Sequence, residues 1–152
     1  MTAQLDLYQQ VILEHNKRPK NFGKLEPCTH SAEGFNPLCG DHIWVYLQLS
    51  ESGVIEAAHF DGAGCAICKA SGSMMTVAVK GKDMAGAQLL FREFQQLLVG
   101  DLKPEDPGHS LGKLKVFSGI WKYPTRVKCA ALAWHTLSSA MCQTGGQAVS
   151  TE

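Results

Sequence analysis

Leu5, Tyr8, Ile12 and His15 recur at helical spacing, with the apolar Val11 and Leu13 widening the stripe, and predict an N-terminal helix. The polar turn Lys17-Arg18-Pro19-Lys20-Asn21 ends it. After Gly23 the pattern breaks into short turn-bounded segments, with a first strand expected over 30–35. The clearest strand lies at 43–49, where Ile43, Val45, Leu47 and Leu49 alternate with Trp44, Tyr46 and Gln48, the period of two that buries one face. Ser50-Glu51-Ser52-Gly53 reads as a reversal into a strand at 54–60, making a hairpin. A helix is expected over 69–80, ended by Gly81-Lys82-Asp83, with Met74 and Met75 as core packing. Leu89, Leu90, Phe91, Phe94, Leu97 and Leu98 predict another amphipathic helix, stopped by Gly100. The segment 101–110 reads as an exposed loop carrying a solvated His109. Residues 130–134 are helical by composition, and 144–152 reads as a frayed tail.

Composition narrows the class. At 152 residues the chain has the size of one domain spanning 1–152. Hydrophobic residues make up 45% and charged residues 18%, with Lys+Arg and Asp+Glu balanced at 14 each, which argues against disorder, nucleic-acid binding and a membrane-surface role. No apolar run is long enough to span a bilayer, and Met1-Thr2-Ala3-Gln4-Leu5-Asp6 lacks the regions of a signal peptide, so a cytoplasmic protein is expected. Six cysteines in such a chain point to reduced thiols with metal or sulfur chemistry rather than a disulfide framework.

Three segments carry that chemistry. In Asn36-Pro37-Leu38-Cys39-Gly40-Asp41 a thiol and a carboxylate stand two residues apart, and Gly40 permits a reversal that turns both towards one centre; alone, it also reads as an ordinary turn. Cys65 follows Gly62-Ala63-Gly64 at an expected helix N-terminus, whose partial positive charge favours a thiolate. With Cys68 it forms a C-x-x-C that reads equally as a metal pair, a redox dithiol, or one working cysteine beside a buried one. Cys129 lies near another expected helix start, with Arg126 and Lys128 as cations able to stabilise a thiolate or pair with Asp41; a small buried cysteine is the alternative. Cys28 and Cys142 have no supporting context, and His15 reads as a surface or packing residue. Cys39, Asp41, Cys65 and Cys129 supply three sulfurs and one oxygen, the ligand count of one tetrahedral zinc.

These segments, in this order, resemble the three cysteine motifs of the IscU/SufU family of iron-sulfur cluster assembly proteins: Asn36-Pro37-Leu38-Cys39-Gly40-Asp41, Gly62-Ala63-Gly64-Cys65 followed by Ser71-Gly72-Ser73-Met74-Met75-Thr76, and Arg126-Val127-Lys128-Cys129. The likeness extends from Tyr8 to Trp134. Lys128 stands where scaffold-type members carry a histidine, Tyr123-Pro124-Thr125-Arg126-Val127-Lys128 replaces their Leu-Pro-Pro-Val-Lys chaperone segment, and an additional stretch precedes Trp121. These departures resemble the SufU-like branch. The resemblance implies an α+β fold, a small three-stranded antiparallel sheet packed with helices. It also implies a zinc-dependent sulfur acceptor, in effect a sulfurtransferase, working with a SufS-like pyridoxal-phosphate cysteine desulfurase and downstream iron-sulfur assembly proteins. Cys39 would be the acceptor, leaving the metal when a partner histidine replaces it. Asp41, Cys65 and Cys129 would retain zinc, Arg126 would pair with Asp41 as the acceptor moves, and Cys68 falls outside the ligand positions. The alternatives are a scaffold binding iron or an iron-sulfur cluster at the same ligands, a thiol-disulfide oxidoreductase on Cys65 and Cys68, and zinc that only holds the fold.

Overall fold

A computed structural model describes residues 3–142 and 149–150. Helix α1 (Ala3–Lys17) is followed by strands β1 (His30–Asn36), β2 (Asp41–Leu49) and β3 (Ile55–Ala63), helices α2 (Ala66–Val79), α3 (Met84–Leu98) and α4 (Pro124–Cys142), and strand β4 (Val149–Ser150). Two 3₁₀ helices, Gly112–Phe117 and Ile120–Lys122, lie between α3 and α4. β1, β2 and β3 form the expected antiparallel three-stranded sheet, and β4 adds a two-residue parallel strand to its β1 edge, giving the order β3-β2-β1-β4. Val149 and Ser150 are therefore paired rather than frayed; the rest of the expected tail, apart from those two residues, lies outside the described residues.

The period-two pattern of β2 decides which face is covered. Ile43, Val45 and Leu47 are buried, while Trp44, Tyr46 and Gln48 stand on the more open face. In β3 the buried positions are Ile55, Ala58 and Phe60, an odd step that follows from a bulge: the register shifts between Gln48 and Leu49, so β3 has one residue more than its partner there. Helices α2 and α4 cover the inner face, α1 packs on α2, and α3 packs on α4. Phe94 stacks on Trp134 and meets Phe117 edge-on, joining α3, α4 and the first 3₁₀ helix in one core. Met74 and Met75 belong to that core, as expected.

Polar groups fix how α1 sits on α2. Ser73 Oγ accepts the Lys20 N–H at 2.7 Å and lies 2.7 Å from His15 Nδ1, and Asn21 Nδ2 donates to Thr76 Oγ1. His15 is thus a packing residue. Two sequence expectations need correction. α3 begins five residues before 89, because Asp83 caps it by accepting the Gly86 N–H at 2.7 Å. His109 is not simply solvated: its ring bridges the Pro104 carbonyl and the Leu111 N–H, closing the 101–110 loop.

Candidate metal centre

The first ligands arise from the turn joining β1 to β2. Asn36 and Asp41 face each other in the strand register, so Pro37 to Gly40 form the whole connection. Asn36 shapes it: its carbonyl accepts the Cys39 N–H at 3.2 Å and its side-chain Oδ1 accepts the Leu38 N–H at 3.3 Å. Gly40 takes a φ of +74°, a left-handed conformation that costs glycine little, and returns the chain into β2. Asp41 is therefore the first residue of β2, two positions earlier than the hydrophobic alternation indicates. It is 1% exposed, while Cys39 on the turn is half-buried.

The second approach comes from the end of β3. That strand runs three residues past Phe60, to Ala63, and Gly64 then leads into Cys65, which is the N-cap of α2 as the sequence indicates. A Cβ on Gly64 would lie 3.0 Å from both Asp41 Oδ1 and Cys68 Sγ, so the chain passes Asp41 closely only because that residue is glycine. The Cys65 N–H donates to Asp41 Oδ1 at 2.9 Å. The first unpaired amide of α2 thereby holds and orients the carboxylate.

The third approach is α4, which begins at Pro124, where proline's missing N–H costs nothing. Cys129 sits in its second turn, 2% exposed, with its Sγ 3.3 Å from Cys39 Sγ and 3.7 Å from the donating Asn36 Nδ2. Asn36 is itself fully buried. Its amide joins the turn to Cys129, a contact that nothing local in the sequence signals.

One ligand atom each from Cys39, Asp41 and Cys129 lies within 4.8 Å of the other two. Cys65 is not in that set of three, though it adjoins it: its amide binds Asp41, and its side chain is among the neighbours that raise the Cys129 thiol. Burial, followed by the neighbouring Cys39, Asp41 and Cys65 side chains, pushes the Cys129 thiol well above an ordinary thiol. Burial similarly raises Cys68, reinforced by Asp41, Cys65 and Cys39, and the fully buried side chain packs in the core. At rest no ion pair joins Arg126 to Asp41 among the described residues. The exposed Arg126 guanidinium instead lies over the Tyr123 ring, 4.7 Å from its centroid.

The fit of a metal can be judged from Asp41. Its Oδ1 is satisfied by Cys65, whereas Oδ2 is buried without a hydrogen-bond partner, beside two thiols. A buried, unpaired carboxylate oxygen carries a large desolvation cost that a bound cation would remove. Two sulfurs on one tetrahedral zinc lie about 3.8 Å apart, close to the 3.3 Å between Cys39 and Cys129. Thiolates with a single carboxylate suit zinc or iron; calcium and magnesium take oxygen ligands. Fold and site together are those of a protein whose thiols and carboxylate could hold a metal ion.

Comparison with known proteins narrows this class. A family model described as NifU-like N terminal domain matches residues 7–130. The chain belongs to this family, which contains the IscU and SufU iron-sulfur cluster assembly proteins. It is 39% identical over 145 residues to the zinc-dependent sulfurtransferase SufU of Bacillus subtilis, covering 95% of this chain and 96% of that protein. It is 37% identical over 135 residues to the iron-sulfur cluster assembly scaffold protein IscU of Streptococcus pyogenes, covering 89% and 82%. Among solved structures, one titled as a scaffold protein for the SUF system of Fervidobacterium islandicum superposes with a TM-score of 0.79 at 32% identity, covering 87% of this chain and 94% of that one.

Proposed function

We propose that the chain is a zinc-dependent sulfur acceptor, which takes persulfide sulfur from the active-site cysteine of a pyridoxal-phosphate cysteine desulfurase and passes it to iron-sulfur assembly proteins. The observation that carries this reading is the convergence of Cys39, Asp41 and Cys129 around the unpartnered Asp41 Oδ2. The name of the B. subtilis relative supports it. A cytoplasmic setting fits six cysteines that are all free thiols.

Cys39, Asp41, Cys65 and Cys129 would hold the metal, with the Cys65 thiol supplying the fourth ligand from its place beside Asp41. Zinc there would keep the thiols ionised at neutral pH, the buried Cys129 included, and restrain their reactivity. Cys39 is the reacting group because it alone combines partial exposure with a turn hinged at Gly40, whereas Cys129 is fixed in a helix and Cys65 caps one. Its thiolate attacks the outer sulfur of the desulfurase persulfide. The sulfur-sulfur bond breaks, the electron pair leaves on the desulfurase cysteine as a thiolate, and Cys39 carries the transferred sulfur as a persulfide. No external oxidant or reductant is consumed. Arg126 is held over Tyr123 by an exposed contact worth about 0.5–1 kcal/mol, weak enough for the guanidinium to turn to Asp41 when Cys39 moves.

Purified protein of measured zinc content, mixed with a cysteine desulfurase and cysteine, tests the reading. The unaltered chain is expected to stimulate desulfurase turnover, Cys39→Ser to abolish the stimulation, and Arg126→Ala to reduce it without loss of zinc. Full stimulation by Cys39→Ser would remove the acceptor role. The identity to IscU scaffolds favours a second reading, assembly of a cluster on the same ligands. Iron and sulfide with visible absorbance in freshly isolated protein, in place of zinc, would select it.

A further inference from the structure

A second concave site lies at the other end of α2. The cavity of about 340 Å³ is bounded by α1, α2, α3 and the first 3₁₀ helix. Val77 lies twelve residues after Cys65, so about 18 Å of helix separates this wall from the metal centre. The floor is apolar, with Met74, Leu90 and Leu114 all buried. Lys20, Lys82, Lys113 and His15 also line it, and no lining residue is acidic.

Among the described residues no ion pair involves Lys20, Lys82 or Lys113. Lys20 and Lys113 act together on this wall: after burial they are the largest influences disfavouring protonation of His15. Two carboxylates lie nearby without entering the cavity. Glu14, on the same helix as His15, is exposed and 4.0 Å from Arg18. Glu93 directs Oε1 to the N–H and hydroxyl of Ser110, which occupies that part of the wall. An apolar floor under unpaired ammonium groups matches the chemistry of a small amphiphilic anion, whose head meets the lysines while its body covers the leucines. At about 30 Å³ per water-sized group the volume holds about ten heavy atoms, the size of a medium-chain carboxylic acid.

We propose that this cavity binds a small organic carboxylate with an apolar body, at a site independent of the metal centre. Octanoate is the probe. Calorimetric titration of the full chain is expected to show saturable binding at or below about 1 mM. Amide NMR shifts should gather at Val77, Ala78, Leu111 and Leu114. Octan-1-ol is expected to bind at least tenfold more weakly, and octylamine not at all. The double variant Lys20→Gln/Lys113→Gln, altered at exposed positions, should lose at least fivefold in affinity, and Ala78→Phe should close the cavity and abolish binding. Octanol binding as tightly as octanoate, octanoate affinity unchanged in the double lysine variant, or no binding at about 1 mM would each overturn the proposal. None of these outcomes bears on sulfur transfer, because no residue is shared between the two sites.

Discussion

Asp41 meets two requirements with one carboxylate, since Oδ1 is held by the Cys65 amide while Oδ2 is buried with no protein partner. Replacing it with asparagine keeps an oxygen for the amide but removes the anionic ligand. Asp41→Asn is therefore expected to weaken zinc binding by more than the about 10–100-fold typical of changes outside the ligand sphere. The metal-free variant should melt no lower than the metal-free parent, because an uncompensated buried charge has gone. Competition with a chromophoric chelator and a thermal melt measure the two effects; unchanged zinc affinity would take Asp41 out of the ligand set. At this scale the sequence names Cys39, Asp41 and Cys129 as soft or anionic donors, and the structure brings those three together. The role of Asn36 was not legible, because a buried amide touching a thiol 93 positions away leaves no local pattern. The resting place of Arg126 over the Tyr123 ring was not legible either, because it depends on the geometry entering α4.

At the scale of elements, the seam between β1 and α4 sets the distance from the Asn36 turn to Cys129. Gly34 lets these elements meet: a Cβ there would collide with Thr136 Oγ1 and lie 3.2 Å from Leu132 Cδ1. Thr136 cannot readily turn aside, because its hydroxyl donates to the Leu132 carbonyl at 2.7 Å. Gly34→Ala should cost about 1–3 kcal/mol by overpacking, lowering the melting temperature by about 2–4 °C per kcal/mol in a chain of this size. It should also weaken metal binding as the seam opens. An unchanged melt would show that the seam has slack. The strands were read well because half-burial writes a period of two into β2, and α2 was recognised within a few residues, whereas α4 runs well beyond the 130–134 expected, from Pro124 to Cys142. The starts of α3 and α4 were less legible: Asp83 and Pro124 mark them by capping and backbone chemistry rather than by apolar spacing. The 3₁₀ helices were passed over because Leu114, Phe117 and Ile120 are buried at a spacing that forms neither repeat.

For the molecule as a whole, the proposed site ties a turn between strands to helices on both sides of the chain's midpoint, with Cys39 and Cys129 separated by 90 positions. A metal bound only by the folded arrangement adds stability in proportion to its saturation, about 4 kcal/mol at a thousandfold excess over Kd. Chelation is accordingly expected to lower the melting temperature by about 8–16 °C, with recovery on adding zinc and a smaller response in Cys39→Ser, which lacks one ligand. A melt indifferent to both chelator and zinc would mean that no metal joins these elements.

The central claim is that sulfur arrives on Cys39. After brief reaction of the zinc-loaded chain with a cysteine desulfurase and cysteine, alkylation and peptide mass spectrometry will locate any added sulfur atom. It is expected on the peptide containing Cys39, absent from Cys65, Cys68 and Cys129 and lost altogether in Cys39→Ser. Sulfur found on Cys65 or Cys129, or still acquired by the Cys39→Ser protein, would contradict it.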